Sequence, residues 1–97
     1  MPRTDIYRAI IDAIEKETEI TEDRILSKAK TTEVVDARAI LVNMLLENGF
    51  YPTQIARYIH KTPSSVNNLI RDYSNRVKNS KIIQIYLTNI RKNIAKI

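Results

Sequence analysis

Apolar residues recur along this chain at helical spacing, interrupted only by three prolines and one glycine. No segment alternates long enough to read as a strand. Ile6, Ile10, Ala13 and Ile14 follow the i, i+4, i+7, i+8 pattern of one buried face. Thr4 is placed to cap this first helix, with Asp5 in its first turn. Thr21, followed by Glu22 and Asp23, opens a short second helix that carries Ile25 and Leu26. A polar stretch over 28–32 follows. A long helix is then predicted over about 33–48, ended by Gly49 as a left-handed residue. Val34, Val35, Ala37, Ile40, Leu41, Val42, Met44, Leu45 and Leu46 make it apolar on most sides, as a central core helix must be.

Tyr51-Pro52-Thr53-Gln54 opens a fourth helix of about two turns, with Ile55, Ala56 and Ile59 inward. The chain bends at His60-Lys61. Thr62 is a good N-cap and Pro63 a favoured first helical residue. The fifth helix turns Val66, Leu69 and Ile70 inward and keeps Ser64, Ser65, Asn67, Asn68 and Arg71 at its start and outer side. A last helix over about 81–96 carries the stripe Ile83, Leu87, Ile90, Ile94 and Ile97. The expectation is an all-α, compact bundle of about six helices, a single domain over 1–97.

Composition narrows the chemistry. With one glycine there is no glycine-rich phosphate cradle. With no cysteine and only His60, there is neither a thiolate nucleophile nor a cluster to hold a catalytic metal. Tyr7, Tyr58, Tyr73 and the scattered carboxylates show no spacing that pairs an acid with a base. An enzyme is therefore not expected, nor a cofactor, a metal or a small-molecule substrate. The net charge is +5 and the isoelectric point near 9.6, which points to an anionic partner. The charge is unevenly spread: residues 1–50 carry seven bases against ten acids, and residues 51–97 carry nine bases against Asp72 alone. The halves are thus −3 and +8. No secretory signal or membrane-spanning run is present, and a cytoplasmic setting is expected.

Residues 54–66, Gln-Ile-Ala-x-x-Ile-x-x-x-Pro-Ser-Ser-Val, have the form of a helix-turn-helix, expected to extend over about 52–77. Ala56 permits a close helix crossing, and Ile55, Ile59 and Val66 form the wedge. His60 stands where glycine is common in the turn, and histidine tolerates positive φ better than most residues. Such a motif puts the N-terminal end of its second helix into the major groove of DNA. Ser64, Ser65, Asn67 and Asn68 are short polar groups suited to base edges, and Lys61 and Arg71 to phosphates. The plainer reading is a capped helix pair with a polar outer face; the +8 half that contains the pattern favours DNA.

With these residues in view, the chain resembles the C-terminal DNA-binding domain (domain IV) of the DnaA family, the bacterial replication initiators, over residues 6–97. Ile25-Leu26-Ser27-Lys28-Ala29-Lys30-Thr31-Thr32 resembles that family's leucine-rich turn and basic loop, and Glu33-Val34-Val35 with Ala37-Arg38 resembles the start of its long helix. Lys61-Thr62-Pro63-Ser64-Ser65-Val66 stands at the place of its helix-turn-helix signature. The resemblance implies an all-helical fold of the Trp-repressor-like class. It also implies a basic loop, here Lys28 and Lys30, reaching the minor groove while the second motif helix reads the major groove. It assigns Arg38 to phosphate, adds Thr53 and Gln54 as phosphate contacts at the start of the motif, and adds Thr62 to the base-reading set. Two departures are visible. Lys30 and Thr32 stand where the family has two arginines, and lysine is the poorer minor-groove reader. Thr62 and Pro63 replace the signature's Asp and His. DNA binding and its geometry carry over, and the sequence preference stays open. No ATPase domain is included, so the expected role is replication-initiator-like or regulatory, with a place on the nucleoid.

The alternative from another class is a protein-interaction module that kept the fold and lost the DNA site. If Ile82 and Tyr86 join Ile83, Leu87, Ile90 and Ile94, the last helix is apolar over more than one face and could pair two copies in a homodimer. The simpler role of that helix is to pack across the first and close the core.

Overall fold

The computed structural model describes residues 2–95, and every regular element among them is helical. The helices are α1 (Arg3–Thr18), α2 (Glu22–Ile25), α3 (Thr32–Glu47), α4 (Pro52–Ile59), α5 (Pro63–Asn79) and α6 (Lys81–Ala95). The all-α bundle of six helices is therefore as the periodicity implied. Lys96 and Ile97, expected at the end of the last helix, lie outside the described residues.

The axis of the molecule is α3. Val34 and the run from Asp36 to Leu45 are buried on it, which leaves half-buried Val35 and exposed Leu46 as the exceptions among its apolar residues. Helices α1, α2, α4 and α5 pack around α3, and α6 crosses α1 and α5 to close the far side. Ile83, Leu87 and Ile90 are the residues it buries there. Expected inner faces match the observed ones on α4 (Ile55, Ala56, Ile59), and on α5, where Val66 is buried and Leu69 and Ile70 pack partly buried against the core. On α1 the buried set is wider than the expected stripe, because Tyr7 and Ile11 join Ile10, Ala13 and Ile14. Tyr7 stacks on Tyr58 of α4, ring centroids 4.9 Å apart, and Phe50 meets Tyr58 edge-on at 5.5 Å. Each such aromatic pair contributes about 0.5–1.5 kcal/mol beyond the area it buries.

Helix ends follow local chemistry. Thr4 does not cap α1: the cap is Pro2, whose carbonyl accepts from the Asp5 and Ile6 amides, so the helix begins at Arg3. The extended backbone that proline favours sets up that first turn. Thr21 stands at the cap of α2, but its side chain makes no capping bond; Glu15 Oε2 accepts from the Glu22 amide at 2.6 Å instead. Gly49 ends α3 as expected, at φ 89°. The Gly49 amide bonds to the Leu46 carbonyl and the Phe50 amide to that of Leu45, the paired closure of a Schellman motif. That turn delivers Phe50 into the core, where it is 1% exposed. Among the described residues, two others hold positive φ without being glycine: Glu19 at 60°, after α1, and His60 at 58°, after α4.

Charge pairs then tie the peripheral helices together. Glu22 accepts from the Tyr7 hydroxyl at 2.6 Å and from Arg8 Nη2 at 2.7 Å. Asp36 on α3 accepts from Arg76 Nη1 of α5 at 2.8 Å, and Glu47 accepts from Arg91 of α6 at 3.0 Å.

Two predictions follow from these ends and pairs. A Cβ at Gly49 meets nothing within 4 Å, so the cost of Gly49→Ala is backbone strain alone, about 1–2 kcal/mol by denaturant unfolding. Burial would raise the Glu22 carboxyl, but the hydrogen bonds from Tyr7 and Arg8, with the positive charge of Arg8, hold it below the ordinary glutamate value. Its stabilising contribution is complete above that ordinary value and is lost as pH falls through the depressed one. Glu22→Gln should therefore flatten the acid limb of stability against pH; an unchanged limb would refute the assignment.

Candidate nucleic-acid interface

The turn between α4 and α5 occupies only residues 60–62. His60 takes the left-handed conformation, and the Lys61 amide bonds back to the Ala56 carbonyl at 3.0 Å. Thr62 caps α5, its Oγ1 accepting from the Ser65 amide at 3.2 Å, and Pro63 is the first helical residue. The same hydroxyl donates to Ser65 Oγ at 3.1 Å. The donor and one acceptor position of the Thr62 hydroxyl are thus used in the cap, so the expected base-reading role competes with a cap the structure already fills. Ser64, Ser65, Asn67 and Asn68 are exposed on the first two turns of α5, and Arg71 is exposed at the start of the third.

On α4, Thr53 is exposed, while Gln54 is half-buried and accepts from the Tyr51 amide through Oε1 at 2.9 Å. Its amide nitrogen is what remains for another contact. Arg57, one turn beyond Thr53 on the same exposed face, is a cation that the sequence reading did not single out; the i, i+4 spacing was the available signal.

Arg38 departs most from its expected place. Its residue is 8% exposed, and its guanidinium faces the segment between α2 and α3. Nε donates to the Ile25 carbonyl at 2.8 Å, and Nη2 donates to the carbonyls of Ser27 at 2.7 Å and Ala29 at 3.1 Å. The observed task of Arg38 is to hold this segment, since a buried guanidinium must be answered by acceptors. The free, phosphate-facing arginine implied by the resemblance is not what these bonds describe.

Lys61 completes the clamp. Its Nζ donates to the same Ser27 carbonyl at 3.0 Å, joining the α4–α5 turn to the segment before α3. Between them lies a recess of about 350 Å³, whose wall includes Lys28, Lys30, Arg38 and Lys61, with Ser65, Asn68 and Leu69 on the α5 side. No acid lines it. Burial lowers the pKa of Lys61, and the positive charges of Arg38 and Lys28 lower it further; burial alone lowers that of Arg38. The structure thus brings the basic segment and the start of α5 to one place, although they are some thirty-five residues apart in sequence.

The wider charge pattern is redrawn by pairing. Arg76 and Arg91, counted with the basic half, are matched to Asp36 and Glu47. Among the described residues, Arg57, Lys61, Arg71, Lys78, Lys81 and Lys92 have no carboxylate partner, nor do Lys28 and Lys30. Elsewhere on the surface, Ile82 and Ile85 of α6 are each 56% exposed, whereas Tyr86 is half-buried. Among the described residues no helix is long and apolar enough to cross a membrane, and no group of His, Cys, Asp and Glu could hold a metal ion.

Comparison of the chain with protein-family models, with curated proteins and with solved structures gives no match.

The clamp makes a direct prediction. Arg38→Leu removes three hydrogen bonds, leaves the Ile25 and Ala29 carbonyls without this donor and Ser27 with Lys61 alone, and should lower stability by about 2–3 kcal/mol in denaturant unfolding. It should also speed amide exchange at residues 27–31. A loss below about 0.5 kcal/mol, the range of a neutral surface change, would show that the segment holds its shape without Arg38.

Proposed function

We propose that this chain binds double-stranded DNA, with α4 and α5 as a helix-turn-helix in the major groove and the 27–31 segment in the minor groove. It would do so in the manner of the replication-initiator domain that the sequence resembles. The observation that carries the reading is the recess itself: lysines of the basic segment and the polar start of α5 meet around it with no acid among them. Duplex DNA is bound chiefly by neutralising phosphates, and sequence is read by short polar groups on groove edges.

In this reading Ser64, Asn67 and Asn68 offer hydroxyl and amide groups to bases, with Ser65 beside them. Lys28 and Lys30 approach the minor groove, and Lys61, Arg71, Thr53 and the Gln54 amide meet phosphates. Arg38 acts through the segment it holds, and Thr62 through the helix it caps. The role is replication-initiator-like or regulatory, acting on the nucleoid.

A second reading, a protein-binding or self-pairing module, is favoured by one observation, the exposure of Ile82 and Ile85 on α6. Fluorescence anisotropy on random duplex DNA across a salt series separates the two. DNA binding predicts weak affinity whose logarithm falls steeply with log salt, as for about four to six neutralised phosphates. Lys30→Ala should weaken binding to all sequences alike. Ser64→Ala and Asn67→Ala should instead relax preference by about 1–3 kcal/mol at one base pair each. Undetectable binding at low salt would reject DNA and favour the module.

A further inference from the structure

We propose that the recess between the 27–31 segment and α5 is a discrete seat for one phosphoryl oxyanion, bound by Lys28, Lys61 and the Ser65 hydroxyl together. This deepens the DNA reading, since a backbone phosphodiester is one source of that group and a free phosphate or nucleotide is another. The sequence distributes these residues over separate tasks: Lys28 to one groove, Ser65 to the other, Lys61 to the strand between. The structure instead puts all three on the wall of a single 350 Å³ recess.

Three independent features fit an oxyanion rather than a general basic surface. The first is that cations from three separate elements converge: the segment before α3, α3 itself through Arg38, and the α4–α5 turn through Lys61. The second is that their convergence is fixed. Arg38 is more than nine-tenths buried, and both Arg38 and Lys61 hold the Ser27 carbonyl. Surface lysines ordinarily sample many rotamers, whereas here one ammonium and one guanidinium are pinned to a shared acceptor. The third is a hydroxyl on the wall of the recess. Ser65 Oγ accepts from Thr62 at 3.1 Å and keeps its own O–H as a donor, which suits an anionic acceptor.

Burial chiefly, and then repulsion from the charges of Arg38 and Lys28, lower the Lys61 pKa. A bound oxyanion reverses the sign of that field, so occupancy favours charged Lys61 and raises its pKa.

The test uses the full chain and two probes, inorganic phosphate and a random DNA duplex. Phosphate titrated against chloride at equal ionic strength should give saturable amide NMR shifts at 27–31 and 61–68, and should raise the Lys61 pKa measured at its side-chain carbon. Lys28→Gln, at an exposed position, and Lys61→Gln should each weaken phosphate about tenfold. Circular dichroism checks that both variants fold. If duplex competes with phosphate for the recess, the seat takes a backbone phosphodiester. If phosphate saturates and duplex does not bind, the seat stands for a free phosphoryl group and the DNA reading falls. If duplex binds while phosphate gives no more than the chloride response, the seat is refuted and the DNA reading survives.

Discussion

A guanidinium withdrawn from water needs acceptors for its N–H groups, and Arg38 finds three of them in main-chain carbonyls, one at the end of α2 and two in the segment between α2 and α3. That requirement shapes much of what surrounds it. The segment is a loop rather than an extension of either helix, and fixing Ile25, Ser27 and Ala29 sets where Lys28 and Lys30 emerge. The Ser27 carbonyl, turned inward for Arg38, is also within reach of Lys61. One buried cation thereby relates the central helix, the basic loop and the turn before α5.

The distribution of charge follows from the same economy of partners. Arginines on α5 and α6 reach carboxylates on α3, so part of the basic half serves to hold helices to the centre. Of these pairs, Asp36–Arg76 is the better shielded from water, with side-chain exposures of 12% and 32%. Glu47–Arg91 lies at about half exposure on both sides and contributes little. The cations left without carboxylates lie mainly on the loop, the short turn and the outer sides of α4, α5 and α6. A net charge counts both kinds equally; only those left over attract an external anion.

Helix content and inner faces were legible because they rest on period: the stripes on α4 and α5, and the all-round apolar character of α3, translate directly into burial. Gly49 and Thr62 were legible because a turn and a cap demand particular residue types at fixed offsets. His60 was legible as a departure the backbone could bear, and it does adopt positive φ. What period cannot reveal is which long-range partner a side chain chooses. Arg38 reads the same from sequence whether it meets a phosphate or a carbonyl, because the 13-residue gap back to Ile25 carries no local signature. The pairing of Asp36 with Arg76 spans 40 residues and was equally hidden. The start of α1 was misplaced for a local reason: Thr4 is a good cap in general, but Pro2 offered a carbonyl two residues earlier. Of the interface, the residue types were visible in advance and their meeting around one recess was not.

Ser80 is the one residue between α5 and α6, and its hydroxyl accepts from the Ile83 amide to start α6. So short a hinge gives the two helices no independent play. α6 takes its place from α1, whereas α5 takes its place from α3 and α4. Ser80 is therefore the point where two separately anchored helices must meet, and the turn there inherits the angle their partners impose.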